Sequence, residues 1–96
     1  MMVLVTYDVS TVSPQGRKRL GKVAKACLDY GQRVQNSVFE CQVSPDQWTA
    51  LRLRLMGLYN PKEDSLRFYF LGANWQPRVQ HHGAKPSVDL EGPLII

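Results

Sequence analysis

Asp8 closes the run Met1-Met2-Val3-Leu4-Val5-Thr6-Tyr7-Asp8, in which residues 2 to 7 are nearly continuous apolar and β-branched types. Such a run reads as a strand covered on both faces. An acid at the C-terminal end of a central strand is held rigidly and stays open to ligand, which makes it a seat for a divalent metal. A strand-ending Asp that opens a turn is the plainer account of the same position. Ser10 and Thr11 follow directly and could donate to a phosphate, or simply build that turn. Further along, Arg17, Lys18, Lys22 and Lys25 supply cations suited to phosphate contacts, against the alternative of a solvated helix face. Other chemistry is poorly provided for. His81 and His82 are adjacent, so on an extended segment they point apart and form no metal pair. Cys27 and Cys41 are too few for a cysteine-rich zinc site, and each lies in an apolar stretch, which predicts buried free thiols.

The elements that must position these residues are legible in the spacing. From Arg17 to Tyr30 the apolar residues Leu20, Val23, Ala24, Cys27 and Leu28 recur at the helical period, with Lys18, Lys22 and Lys25 on the opposite face. Ser13-Pro14-Gln15-Gly16 reads as a turn leading in, and Gly31 as a left-handed C-terminal cap. Gln32 to Val43 is β-rich but long for one strand. A break near Gln35-Asn36-Ser37 makes it two antiparallel strands, with Val34, Val38, Phe39, Cys41 and Val43 as core candidates. Ser44-Pro45-Asp46-Gln47 is a capping box with proline in the first turn. It opens a second helix striped by Trp48, Leu51, Leu55, Leu58 and Tyr59. Ser65 to Leu71 is a further strand with Leu66, Phe68 and Phe70 on one face, and Trp48 and Phe70 read as core. The order strand, helix, hairpin, helix, strand predicts an α+β ferredoxin-like sandwich: an antiparallel sheet, both helices on one face, and strand one central. Residues 1–72 form this core domain. Residues 73–96 are an extended tail broken by glycine and proline, whose apolar end Pro93-Leu94-Ile95-Ile96 is expected to lie along a sheet edge, its own or a partner's.

At 96 residues, 44% hydrophobic and 21% charged, the chain is one globular domain with a modest core. No apolar run approaches a membrane span and no signal-peptide layout is present, so a cytoplasmic protein is expected. The net charge of +4 is unevenly placed. Residues 1–34 hold six bases against two acids, whereas residues 35–96 hold six of each. An excess gathered on one element attracts polyanions, of which nucleic acid is the usual one.

Taken together, VLVTYDVS with Asp8, the basic helix RKRLGKVAKACLDYG and the stretch GQRVQNSVFECQV resemble the CRISPR-associated protein 2 family. The tail GAKPSVDLEGPLII resembles a subset of it. The likeness spans nearly the whole chain. Its most specific parts are the strand-one Tyr7-Asp8 and the RVQxSVFE pattern from Arg33 to Glu40. The resemblance implies a ferredoxin-like homodimer in which Asp8 of each protomer faces its mate and binds a divalent metal, usually magnesium. It implies two roles that conflict: a metal-dependent endonuclease on RNA or double-stranded DNA, and a non-catalytic, DNA-binding bridge that docks the CRISPR integrase during spacer acquisition.

The residues fit a single shared ion. Magnesium needs only one or two protein carboxylates and keeps several waters. One chain offers a single well-placed acid, and a symmetric dimer offers two. Within the recognisable motif, Arg33 and Glu40 read plainly as a cross-strand ion pair. An RNA-binding module of the RRM kind is disfavoured. It wants exposed aromatics in a Gly-Phe-rich pattern, but strand one has only Tyr7 and residues 33–43 lack glycine.

Overall fold

The local signals read above assemble in a computed structural model that describes residues 1–83. Strand β1 (Met2–Asp8) leads to helix α1 (Pro14–Leu28), then to the hairpin β2 (Gln32–Gln35) and β3 (Val38–Gln42). Helix α2 (Pro45–Leu58), strand β4 (Ser65–Gly72) and a 3₁₀ turn at Gln76–Arg78 complete the chain order. The sheet order is β2-β3-β1-β4 with every pairing antiparallel, so β1 is central and β2 and β4 are edges. This is the expected ferredoxin-like α+β sandwich. The end of the tail, 84–96, and its expected pairing with a sheet edge lie outside the described residues.

Alternation along β1 builds the core. Val3, Val5 and Tyr7 point toward the helices and are buried with Phe39, Cys41 and Val43. Val23, Ala26 and Cys27 of α1 close on them, as do Trp48, Leu51 and Leu55 of α2. Full burial of each large side chain contributes roughly 1.5–3 kcal/mol. Leu4 and Thr6, on the other face of β1, are only half-buried, and Asp8 is exposed. The strand expected to be covered on both faces is therefore covered fully on one.

Several local expectations change. Helix α1 starts at Pro14, with Ser13 as its N-cap: the Ser13 hydroxyl accepts the Gly16 N–H at 3.0 Å. The presumed turn is thus the helix's own first turn, because a capping serine followed by proline presets it. Gly31 has no positive φ and is no left-handed cap, since α1 closes instead through Asp29 in right-handed geometry. Its glycine is required by packing: a Cβ there would lie 2.4 Å from the Glu40 carbonyl oxygen and 2.5 Å from Cys41 Sγ. Of the α1 stripe, Leu28 is half-exposed, and the unforeseen Ala26 is fully buried. Val34 and Val38 are only half-buried, Val38 being paired with Thr6 on the face away from the helices. Phe70 is 61% exposed because β4 is an edge strand, yet it still meets Trp48 edge-on with ring centroids 5.5 Å apart. The capping box of α2 stands as read: Ser44 and Gln47 exchange side-chain and backbone hydrogen bonds at 2.9 and 3.2 Å.

Both cysteines are buried free thiols. Burial pushes Cys27 up to about 12 and Cys41 up to about 11, so neither ionises near neutral pH.

Candidate metal and nucleic-acid site

The loop after β1 is pinned from several sides, and Asp8 is what it holds in place. Asp8 pairs with Ser65 at the end of the β1–β4 ladder. The N–H of Tyr7 donates to the Ser37 carbonyl at 3.1 Å, tying the strand end to the β2–β3 turn. Val9 is buried in the core. The Ser10 N–H donates to Asp64 Oδ1 at 3.0 Å. On the other side of Ser10, Gly16 lets α1 approach so closely that a Cβ would fall 1.9 Å from the Ser10 carbonyl oxygen. Arg17 then donates through Nη1 to the Thr11 carbonyl at 3.1 Å. Ser10 and Thr11 are thereby used through their backbones. The Asp8 carboxylate is exposed and makes no hydrogen bond or ion pair to any described residue. A lone, hard oxygen donor on a rigid strand end fits half of a magnesium site, since that ion accepts few protein carboxylates and retains water. Among the described residues no cluster of three or more His, Cys, Asp or Glu could hold a metal.

The four cations singled out on α1 do not stand alike. All four are exposed. Arg17 is engaged with Thr11, and Lys25 forms an ion pair with Asp29, which also takes Arg54 at 2.7 Å. Lys18 and Lys22 have no partner among the described residues. Arg19, on the same helix, turns inward to Asp64 and Glu63. The cationic stripe is real but thinner than the charge count, because acids distant in sequence neutralise part of it. Arg33 and Glu40 form no ion pair: Arg33 lies opposite Phe39 in the hairpin, with its guanidinium 5.1 Å from the ring centroid, a cation–π contact. Glu40 faces Gln32 across the ladder, and burial raises its pKa, an effect opposed by the nearby His81.

Sequence reasoning missed Asp64, which sits in a stretch, Lys62-Glu63-Asp64, that reads as a polar loop. Its side chain is fully buried. Arg19 donates through Nε at 2.8 Å and Nη2 at 3.2 Å, and the N–H groups of Asn60 and Ser10 donate at 2.8 and 3.0 Å. The partners lie 45 and 54 residues away, so no local pattern announces them. Hydrogen bonding from Arg19 holds the Asp64 carboxyl well down, at about 2. A depressed carboxylate contributes stability that is present above the ordinary value near 4 and is lost as pH falls toward the folded value. Thermal midpoints should therefore drop between about pH 4 and pH 2 in the wild type, and the slope across that window should be shallower in Asp64→Asn.

The fold and this site define a class: a small ferredoxin-like α+β protein with one unpartnered strand-end carboxylate on one face of its sheet and a helix bearing free cations on the other. A family model described as CRISPR associated protein Cas2 matches residues 1–79. A relative from Rhodospirillum rubrum named CRISPR-associated endoribonuclease Cas2 3 is 67% identical over 95 residues, covering 99% of this chain and 100% of the relative. The CRISPR-associated endonuclease Cas2 of Halalkalibacterium halodurans is 62% identical over 95 residues, 99% of each chain. The crystal structure of Streptococcus pyogenes Cas2 at pH 6.5 superposes with a TM-score of 0.75 at 61% identity, covering 86% of this chain and 100% of that one. The chain belongs to the CRISPR-associated protein Cas2 family, whose curated relatives here carry the names endoribonuclease and endonuclease. Among the described residues no helix is long and apolar enough to cross a membrane.

Proposed function

We propose that this chain is a magnesium-dependent endonuclease acting as a homodimer, with Asp8 and the same residue of a second copy holding one shared ion. The observation that carries this reading is the free, exposed Asp8 carboxylate at the end of β1, where the loop that follows is pinned by Asp64, Arg17 and Gly16. A lone carboxylate binds magnesium weakly, and a twofold axis supplies the second without a further residue. The sheet face opposite the helices supports the pairing, since it presents half-buried Leu4, Thr6 and Val38 and the exposed Tyr69. When bound, the ion supplies charge stabilisation at the phosphate and an ionisable water. The residues' own tasks are simpler: Asp8 orients the site, and Lys18 and Lys22 bind backbone phosphates. The substrate is RNA or double-stranded DNA, and the working compartment is the cytoplasm, where two buried free thiols are at home. Sedimentation at micromolar concentration should show a dimer of this chain. A clean monomer would remove the shared-ion reading.

A second reading has its own observation. Lys18 and Lys22 lie on the helix layer, whereas alternation along β1 puts Asp8 on the other face of the sheet. Duplex DNA gripped through α1 has no need of Asp8, which favours a non-catalytic scaffold whose tail docks the CRISPR integrase. Both readings use the stripe. Replacing Lys18, Lys22 and Lys25 together with Ala should weaken duplex binding and flatten its salt dependence, by up to about 0.9 in log–log slope per lost phosphate contact. Unchanged affinity and slope would mark the stripe as a solvated face. Lys25 should contribute least, because Asp29 already holds it.

A further inference from the structure

Asp64 joins three segments that meet behind Asp8. Its two oxygens take the Ser10 N–H from the β1–α1 loop, the Asn60 N–H from the α2–β4 loop, and the Arg19 guanidinium from α1. Arg19 is itself steadied by Glu63 at 3.0 Å. The next residue, Ser65, is the ladder partner of Asp8. Asp8 is therefore bracketed by one short piece of chain, through Ser65 on the strand side and through Asp64 two residues on at Ser10. The side chain of Asp64 is fully buried and that of Arg19 is 17% exposed. A buried ion pair is a poor way to gain stability, because desolvation of both charges offsets much of their attraction and packed apolar residues often do as well. What it supplies is geometry, and here the geometry is that of the loop directly after Asp8.

We propose that Asp64, oriented by Arg19, is a positioning residue for Asp8: it holds the Ser10 amide so that the Asp8 carboxylate is presented in one place for a divalent cation. This rests on the reading of Asp8 as the metal-holding residue. Supporting groups of this kind change metal affinity by roughly 10–100-fold when removed. Asp64→Asn replaces acceptor capacity with an amide donor facing Arg19. Arg19→Lys keeps the charge but cannot bridge two oxygens as the guanidinium fork does.

The test measures Mn²⁺ binding to the dimer by the paramagnetic resonance of free Mn²⁺, together with hydrogen exchange of the Ser10 amide. Wild type, Asp8→Asn, Asp64→Asn and Arg19→Lys are compared well below their melting temperatures. Expected results are loss of Mn²⁺ binding in Asp8→Asn and weakening of roughly 10–100-fold in Asp64→Asn. Arg19→Lys should weaken binding by about tenfold, the lower end of that range. Exchange at Ser10 should be faster in both positioning variants. A purely structural pair would lower the melting temperature and leave Mn²⁺ affinity alone, so folded variants that bind as wild type does overturn the proposal. If Asp64→Asn does not fold, Arg19→Lys decides by the same criterion. If Asp8→Asn itself binds Mn²⁺ normally, the reading of Asp8 fails, and the proposal falls with it. Failure of positioning alone shows the opposite pattern, with Mn²⁺ binding lost in Asp8→Asn and unchanged in Asp64→Asn.

Discussion

In Asp8→Asn, divalent-dependent cleavage of nucleic acid should fall by at least about a hundredfold, the scale of losing one placed electrostatic group at a reacting centre. The substitution keeps the shape and removes the charge that would hold the cation. Fold and dimer should survive, because Asp8 is exposed at the end of β1 and has no partner to leave unsatisfied. Removing two like charges from a symmetric interface should strengthen the metal-free dimer slightly. Cleavage of RNA and of double-stranded DNA, measured with and without magnesium beside wild type, checks this. An Asn variant that cuts as well as wild type would make Asp8 a structural turn residue. Spacer acquisition in cells is the companion measurement. If wild type cuts nothing with any metal, while acquisition requires the protein and tolerates Asp8→Asn, the scaffold reading wins.

The second large effect is on stability, and its sign differs among glycines. At Gly16 a Cβ would lie 1.9 Å from the Ser10 carbonyl oxygen, and at Gly31 it would lie 2.4 Å from that of Glu40. Both neighbours are backbone and cannot swing aside. Alanine at either position forces the helix start or the hairpin to move, at about 1–3 kcal/mol as for other overpacked sites. For a domain near this size each kcal/mol lowers the midpoint by roughly 4–8 °C. Gly21, inside α1, has nothing within 4 Å of its Cβ position. Alanine there should stabilise by roughly 0.5–1 kcal/mol through helix propensity alone. Thermal melts of the three variants settle the signs. A neutral Gly16→Ala would mean that the loop behind Asp8 yields more readily than its bonds imply, and cleavage by that variant should then be unchanged.

The elements and their order were legible because they rest on local chemistry. The Ser44 to Gln47 capping box, the break near Gln35-Asn36-Ser37 and the α2 stripe each lie within a few residues of sequence. The structure keeps the box and narrows the break to Asn36-Ser37, with Gln35 still in β2. It buries Trp48, Leu51 and Leu55 of the stripe, while Leu58 is half-buried and Tyr59 caps the helix in extended geometry. The run from Met2 to Tyr7 pointed to the central strand, and β1 is central, although the coverage of both faces that the run suggested is complete only on the helix side. Asp8 was legible as the polar stop to that run. The family resemblance, carried by Tyr7-Asp8 and by Arg33 to Glu40, added the activity, which no spacing shows.

What tertiary structure decided is which charges are free. Composition counts Arg19 with the basic stripe, yet Asp64, 45 residues away, draws it inward. Lys25 is spent on Asp29, and Arg33 lies over Phe39 instead of pairing with Glu40. Glycine's role at 31 likewise depends on a strand that arrives only when the hairpin folds back over it. Charge and close packing act through space at a few ångströms, and a chain folded into a sheet of order β2-β3-β1-β4 makes neighbours of residues that the sequence keeps far apart. Helical and strand periods are written within one element and can be read there. Asp64 became visible only when α1, the β1–α1 loop and the α2–β4 loop converged on one buried carboxylate.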